Sequence, residues 1–262
     1  MSPFLFLRHN LCILKVMRIP RIYLPINLKD SQPEESKELT DHAFQHVVKV
    51  LRMKLDSKII VFDGKGNEYS AALKEINKKN AFINIDKKIE QKSESNLSIH
   101  LGLGISKGER MDYAIQKSVE LGVTEITPLF TEHCVVNLDE KRIQKKLHHW
   151  QGIIISACEQ SGRNVIPHLN TTSTLLKWAD STDIKCIVFD PLATTTLKEI
   201  TPNKEMINLV IGPEGGLSSN EVAELNKKEN FQTVKFGPRI LRTETAAVSA
   251  ITAIQLLWGD LV

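Results

Sequence analysis

The chain has 262 residues, of which 42% are hydrophobic and 25% are charged, a balance typical of a globular protein that buries a substantial core in one or two domains. The formal net charge of +3 at pH 7 is mildly basic, which permits nucleic-acid binding without indicating it. The sequence predicts reduced thiols, with neither a metal site nor a disulfide framework, because no C-x-x-C pair occurs among its cysteines: Cys12, Cys134, Cys158 and Cys186.

Residues 1–16 contain an apolar run that Arg8, His9 and Asn10 interrupt. The run is too short to span a membrane, and no small-residue cleavage site of a signal peptide follows it. We therefore expect residues 1–16 to be an extension outside the fold without a targeting role, and we expect no membrane association.

The segment after Met17 predicts a small β domain. Its apolar runs, separated by turn residues, predict strands at residues 18–23, 58–62, 68–73 and 81–85. Residues 31–38 are polar and are interpreted as a loop, and Thr40 or Asp41 is expected to cap a short helix. Several short strands joined by turns imply a small barrel. The polar residues 87–96 are interpreted as the linker to a second domain.

From residue 97 the pattern changes to alternating strands and helices, which indicates an α/β layer fold. Two capping-box patterns, Ser106-x-x-Glu109 and Ser218-x-x-Glu221, each predict the start of a helix, and Gly122 is expected to end the first one. Strands are predicted at residues 97–103, 125–130, 185–189 and 208–211, and further helices at residues 139–161, 218–229 and 243–258.

Common nucleotide and metal motifs are absent. Residues 102–108 follow a strand but carry G-x-G-x-x-x-G, one residue too long for the dinucleotide fingerprint, and residues 64–66 lack the frame of a phosphate-binding loop. His42 and His46 could form a ligand pair, but no third ligand accompanies them, so ordinary histidines are the favoured interpretation. The sequence thus supports neither dehydrogenase nor kinase chemistry.

Two glycine-proline loops dominate the C-terminal part, IGPEGGL at residues 211–217 and FGPRILRTET at residues 236–245. Each lies between an apolar run and a helical pattern, where Thr243 can cap the last helix and Glu244 favours its positive end. A ligand-binding cleft and ordinary tight turns explain the loops equally well from the residues alone. In the first case the backbone would be open to a ligand at four glycines: Gly212, Gly215, Gly216 and Gly237.

These loops resemble those of 16S rRNA (uracil-N3) methyltransferases of the RsmE type, which belong to the SPOUT superfamily. The resemblance covers nearly all of Met17–Val262 and includes MRIPRIYLP from Met17, VLRMK from Val50, SKGERMDYAIQKSVELGVTEITPLF from Ser106 and ACEQSGRN from Ala157. It implies an α/β protein with a C-terminal SPOUT trefoil-knotted α/β methyltransferase domain at residues 97–262 and a small N-terminal PUA-like RNA-binding β-barrel at residues 17–90.

The resemblance also implies S-adenosyl-L-methionine (SAM) as cofactor. The implied cofactor-binding residues are Phe189, Pro191, Leu192, Ile211, Gly212, Pro213, Glu214, Gly215, Gly216, Gly237, Ile240, Leu241, Arg242 and Thr243. The implied catalytic positions are Glu159, Arg163, Arg242 and Glu244, and none of them stands out as a general base. The implied RNA contacts are Arg18, Arg21, Arg52, Lys54, Arg163 and Asn164, although the residues alone fit a solvated face equally well.

The expected reaction is methyl transfer from SAM to N3 of a uridine in 16S ribosomal RNA, with the RNA or the small ribosomal subunit as partner. A SPOUT enzyme acting on another rRNA or tRNA position and a non-catalytic RNA-binding module stay open as alternatives. The last helix is apolar almost all the way round, which fits either a homodimer through the C-terminal domain or a helix buried within one subunit, and the resemblance implies the homodimer. A charge at Ala250 or Ile254 should split or unfold it. In that dimer the resemblance implies that Arg163 or Asn164 reaches the partner's cofactor pocket. We also expect the protein to be cytoplasmic.

Overall fold

The computed structural model describes residues 19–90, 93–135, 139–201 and 205–261. Arg18 and the predicted extension at residues 1–16 therefore lie outside the described residues. Among the helices within these ranges, none is both long and apolar enough to cross a membrane.

The N-terminal part is built on a sheet of five strands, namely β1 (Arg21–Tyr23), β2 (Ser36–Glu38), β3 (Lys58–Phe62), β4 (Glu68–Ile76) and β5 (Ala81–Lys88). The order is β1-β3-β4-β5-β2, in which β1 and β3 are parallel and the other pairs are antiparallel. Alternate side chains of the strands, including Ile59, Val61, Ile83 and Ile85, form one core because successive residues point to opposite faces.

Two boundaries in this part differ from the sequence prediction. β2 lies in the segment interpreted as a loop, and it is formed by hydrogen bonding to β5 rather than by apolar residues. β5 runs to Lys88, two residues into the predicted linker. The helical prediction is confirmed: α1 (Asp41–Phe44) begins after Thr40, whose Oγ1 accepts a hydrogen bond from the backbone N–H of Ala43, and it continues as a π-helical segment, Gln45–Val50.

The C-terminal part is built on a parallel sheet whose strands are β6 (Ser98–Gly104), β7 (Glu125–Phe130), β8 (His168–Leu169), β9 (Ser173–Thr174), β10 (Cys186–Phe189), β11 (Met206–Ile211) and β12 (Phe231–Val234). The order is β12-β10-β11-β6-β7-β8, with β9 also pairing with β7. The strand pairs of this sheet are parallel. β11 lies between β6 and β10, whereas β12 lies on the far side of β10. The connection from β11 to β12 therefore crosses over β10.

Helices cover both faces of this sheet, and they are α2 (Glu109–Glu120), α3 (Glu140–Ser161), α4 (Leu175–Asp180), α5 (Ser219–Asn226) and α6 (Thr243–Trp258). A short 3-10 helix, Leu197–Glu199, follows β10. Leu101 and Leu209 pack with α2, α3 and α6, while Val188 and Val210 pack with α4 and α5. The result is three layers, helix–sheet–helix, as the alternating pattern predicts.

The helix caps confirm one capping box and correct another. Ser218 Oγ accepts from the backbone N–H of Glu221 at 3.0 Å, and Glu221 accepts in return from Ser218 N at 2.9 Å. The predicted box at Ser106 is wrong, because Gly108 is the N-cap with a φ of +57° and delays α2 to Glu109. Ser106 instead donates to Gly104 O at 3.3 Å. The last helix is also capped differently than expected: its N-cap is Arg242, and Thr243 is its first residue.

Gly104 provides a test of how tightly the sheet is packed. A Cβ at this position would lie 2.4 Å from the backbone nitrogen of Pro213, so we expect Gly104→Ala to lower the free energy of unfolding by about 1–3 kcal/mol. Gly152→Ala is the matched control, since its Cβ would meet no atom within 4 Å on α3, and it should raise stability by up to about 1 kcal/mol. Urea unfolding measures both, and equal effects would contradict this packing.

Candidate functional site

A cleft of about 340 Å³, called here the loop cleft, opens at the carboxyl ends of β10, β11 and β12, which are neighbours in the sheet. Its walls are residues 189–191, 211–214, 216–217, 236–237 and 239–243, together with Arg110 and Ala246. Loops that follow parallel strands converge at this edge, which is where ligands bind in open α/β sheets. The volume lies at the lower end of the range of small-molecule sites.

The loop cleft brings together most of the residues that the sequence predicts for the cofactor. The predicted residues that line it are Phe189, Pro191, Ile211, Gly212, Pro213, Glu214, Gly216, Gly237, Ile240, Leu241, Arg242 and Thr243. Sequence reasoning missed Arg110, Asp190, Leu217, Phe236, Arg239 and Ala246, which also line it. Most of these are sequence neighbours of predicted residues, so including the whole of each loop would have found them. Arg110 lies on α2 and reaches the cleft only because of tertiary packing, which no local sequence signal marks.

Two predicted residues lie outside the lining. Leu192 is 86% exposed, and Gly215 faces away from the cleft. A Cβ at Gly215 would lie 2.8 Å from His133 Cβ, and Gly215 O is 2.9 Å from His133 Nδ1. Gly216 does line the cleft; a Cβ there would meet no atom within 4 Å, but its φ of +69° makes any larger residue strained. Substituting Gly215 would instead disturb the contact with His133.

Glu214 connects the glycine-proline loop to the start of α2. Its Oε1 accepts hydrogen bonds from the backbone N–H of Lys107 at 3.0 Å and from Arg110 Nη1 at 3.2 Å. Burial alone would raise the pKa of this carboxyl, but hydrogen bonds from its own N–H, from Lys107, from the Ser106 hydroxyl and from Arg110 together hold the pKa below its ordinary value. Its Oε2 is buried and makes no hydrogen bond within the described part of the chain.

The cleft combines an apolar wall with a cationic rim. The rings of Phe189 and Phe236 pack at 5.4 Å between centroids, with an interplanar angle of 64°. Arg110, Arg239 and Arg242 are exposed at the rim. Such a site suits a ligand with an apolar or aromatic body, and the rim suits an anionic partner such as a nucleic-acid backbone.

Of the predicted catalytic residues, Arg242 alone lines the loop cleft. Glu159 Oε1 accepts a hydrogen bond from the backbone N–H of Tyr23 at 3.0 Å, at the junction of the two sheets. Glu244 lies in the first turn of α6, where its Oε2 is buried without a partner among the described residues. Arg163 is 3% exposed and lies in the same junction as Glu159.

The residues predicted to contact RNA divide into two groups. Arg21, Arg163 and Asn164 hold partners within the chain: Arg21 forms an ion pair with Glu68 and donates to Arg163 O at 3.0 Å. Asn164 is 4% exposed, so its side chain is also unavailable to RNA. The predicted RNA role of these three has no support in this geometry. Arg52 and Lys54 are solvent-exposed, as a phosphate contact requires.

A metal site and a reactive thiol are two other kinds of site that could carry chemistry. Within the described residues, no cluster of three or more His, Cys, Asp or Glu side chains could hold a metal ion. Burial raises the pKa of the Cys158 thiol to about 12, with the Arg163 guanidinium opposing the shift, so this thiol stays protonated at neutral pH. Cys158 is therefore a packing residue at the end of α3.

Comparison with known proteins gives consistent matches along the chain. An RNA methyltransferase domain matches residues 93–255, and an RNA methyltransferase PUA domain matches residues 39–86. The chain is 44% identical over 248 residues to ribosomal RNA small subunit methyltransferase E of Buchnera aphidicola from Schizaphis graminum, covering 93% of this chain and 98% of the relative.

Two solved structures are similar over the same length. A Legionella pneumophila methyltransferase in complex with SAM superposes with a TM-score of 0.88 at 41% identity, over 93% of this chain and 100% of that one. Ribosomal RNA small subunit methyltransferase E of Neisseria gonorrhoeae, bound to SAM, has a TM-score of 0.86 at 39% identity, with the same coverage of 93% and 100%.

A parallel α/β sheet with a loop cleft at its carboxyl edge, joined to a PUA-like β domain, defines an RNA methyltransferase of the SPOUT class. The chain belongs to the ribosomal RNA small subunit methyltransferase E family. The family and the fold class predicted from the sequence are thereby confirmed.

Proposed function

We propose that the chain transfers the methyl group of SAM to N3 of a uridine in 16S ribosomal RNA. The loop cleft carries this proposal, because it has the position and size of a small-molecule site in a family with SAM-bound relatives. The choice of N3, of uridine and of 16S RNA rests on the resemblance to RsmE-type enzymes, not on a contact in this structure.

The residues of the loop cleft fit SAM. Glu214 Oε2, buried without a partner in the described part of the chain, is an available acceptor for a ribose hydroxyl or for the cationic end of the cofactor. The backbone around Gly212, Gly216 and Gly237 is free of side chains, so its N–H and C=O groups can reach an adenine. Phe189 and Phe236 supply an apolar surface for the same ring.

Arg242 is the residue that we assign to the reaction itself. Bound SAM supplies an electrophilic methyl group and a neutral thioether leaving group. N3 of uracil must lose its proton as the N–C bond forms, and the cationic Arg242 at the cleft rim would stabilise the negative charge that develops on the uracil carbonyls. Glu159 and Glu244 lie outside the lining, so we assign the proton to solvent. Positioning of the base against the methyl group supplies the remaining acceleration.

The N-terminal domain, which we place at residues 17–90, is proposed to bind the RNA backbone, and residues 97–262 to carry the methyl transfer. Arg52 and Lys54 follow the helical segment and are exposed, so they can contact phosphates, which position the RNA without reading its sequence. The target uridine must then be single-stranded or flipped to enter the loop cleft. A cytoplasmic location is proposed because the ribosomal substrate is there.

We also propose that the protein acts as a homodimer through α6. Leu256 and Leu257 are 53% and 49% exposed on this helix, an apolar surface that a second copy would cover. Ala250 and Ile254 are 0% exposed in the chain's own core, so charges at these positions would unfold the subunit instead of separating two subunits. The test therefore moves to the leucines.

The cofactor assignment predicts that Ala246→Leu lowers SAM affinity at least about tenfold, or about 1.4 kcal/mol, because the larger side chain fills the cleft wall. Thr245→Leu is the matched control, because Thr245 lies on the same helical turn but is exposed and outside the cleft lining. The SAM affinity of this variant should equal that of the wild type. Isothermal titration calorimetry measures the SAM affinity of each protein. A folded Ala246→Leu protein with unchanged SAM affinity would show that SAM does not bind in the loop cleft.

The dimer predicts that Leu256→Asp combined with Leu257→Asp yields a folded monomer, since charge is costly in an apolar interface. Gln144→Asp is the matched control, because it adds a charge on the exposed side of α3, away from α6 in the sequence. This variant should have the same dimer mass as the wild type. Light scattering measures the mass of each protein. A monomeric wild type, or a dimer that survives the double substitution, would contradict the proposal.

The reaction predicts N3-methyluridine in 16S RNA from cells that contain the protein and its loss when the protein is removed. Arg242→Ala should lower the methylation rate by about 10²-fold, the usual cost of removing a donor that stabilises developing charge, while the remote Arg142→Ala should leave the rate unchanged. Nucleoside mass spectrometry measures the product. A methyl group on another nucleoside would favour a different SPOUT target. No methylation, together with intact RNA binding, would favour a non-catalytic binding module.

A further inference from the structure

Arg163 uses every donor nitrogen of its guanidinium inside the chain. Nε and Nη2 donate to Glu94 Oε2, at 3.0 Å and 2.5 Å, and Nη1 donates to the carbonyls of Val119 and Val123 at 2.9 Å and 2.7 Å. Glu94 belongs to the segment that connects the two sheets. Arg163 therefore ties this connection to the C-terminal end of α2, where a cation is also favoured by the helix dipole.

A second ion pair, more deeply buried at its carboxylate, lies beside the first. Arg21 of β1 pairs with Glu68 of β4, whose side chain is 1% exposed, and the Arg21 guanidinium lies 5.1 Å from the ring centroid of Phe62. Arg21 Nη2 also donates to Arg163 O at 3.0 Å, and Asn164 Nδ2 donates to Glu68 Oε2 at 3.4 Å. The two pairs thus form one network across the junction of the domains.

Backbone hydrogen bonds cross the same junction. Gly66 N–H donates to Asn164 O at 3.1 Å, and Ile166 N–H donates to Gly64 O at 3.0 Å. The segment that follows α3 therefore lies against the turn between β3 and β4. These amide protons report directly on whether the two domains stay docked.

α2 connects this junction with the loop cleft. Its C-terminal end is held by Arg163, and its first turn carries Arg110, which lines the cleft and pairs with Glu214. The helix has 12 residues, so the two ends are about 18 Å apart. If the N-terminal domain is held at the C-terminal end of α2, it is also held in place relative to the loop cleft at the first turn of α2.

Buried ion pairs contribute little net stability compared with apolar residues of the same volume, because desolvation offsets their attraction. Their hydrogen bonds do have direction, whereas the apolar contacts in this junction, made by Tyr23, Phe62 and Ile166, have none. The network is therefore suited to selecting one orientation of the domains. This orientation matters for methyl transfer, because moving the reacting groups about 1 Å out of place can lower the rate about 10²-fold.

We propose that Arg163, with Glu94, is a positioning residue pair that holds the RNA-binding domain in one orientation relative to the loop cleft. The inference rests on the proposed function, in which the N-terminal domain binds RNA and the cleft binds SAM. It replaces the RNA contact that the sequence predicts for Arg163.

The first test separates positioning from binding. Glu94→Gln keeps the shape of the side chain and removes its charge, and Arg163→Lys keeps the charge and loses the forked geometry. Both should lower the single-turnover methylation rate by about 10- to 100-fold, while the dissociation constants for SAM and for 16S RNA stay within about twofold. An unchanged rate, or a loss of RNA affinity that accounts for the loss of rate, would overturn the proposal.

Glu120→Gln is the matched control, because it removes an ion pair with Lys117 on the same helix without touching the junction. Its rate and affinities should equal those of the wild type. Circular dichroism verifies that each variant is folded before the rates are compared.

The second test needs no activity. Hydrogen exchange in peptides that contain Gly66 and Ile166 should be faster in Glu94→Gln than in the wild type, and unchanged in Glu120→Gln. Unchanged exchange at both amides in Glu94→Gln would show that the pair does not hold the domains and would overturn the proposal. If the wild type methylates no uridine, the proposed function fails separately, and the exchange result still decides whether the junction is held by this pair.

Discussion

The close approach of Gly104 to the backbone of Gly212 and Pro213 is the constraint on which the site depends. It allows the end of β6 to lie directly against the loop that follows β11, two strands that pair in register over six residues. The same loop is held at Glu214 by the start of α2 and at Gly215 by His133. A loop fixed from three directions can keep its backbone exposed to a ligand without collapsing.

The two sheets, each with its own hydrophobic core, meet at the end of α3. The loop cleft needs the parallel order β12-β10-β11, because adjacent strands bring three separate loops to one edge. The segment after α3 carries Glu159, Arg163 and Asn164 to the N-terminal sheet. Glu159, Arg163 and Asn164, which the resemblance places in the active site or on the RNA, therefore have partners across the junction of the two sheets, whereas Arg52 and Lys54 are exposed.

Local signals predicted the long elements well. α3 begins one residue after the start of the helix predicted at residues 139–161 and ends where that prediction ends, and it is bounded by the Asp139 cap and by Gly162 with a φ of +92°. The strands β8, β9 and β12 were missed, because they are short and pair with strands far away in the sequence. The six-residue helix α4 was also missed. Most of the cleft lining was predicted because the resemblance implies a cofactor site at the glycine-proline loops, which the residues alone leave open. The burial of Arg163 was not predicted, since Glu94 lies 69 residues away and nothing local marks the pair.

A crystal structure of the chain with SAM tests the central claim most directly. The account predicts the cofactor in the loop cleft, with its adenine against the backbone of residues 236–243 and a polar group of SAM on Glu214 Oε2. It also predicts no contact between SAM and Arg163, which is buried beside Glu94. SAM bound at any other surface, or a cleft that stays empty at saturating SAM while SAM binds in solution, would contradict the account.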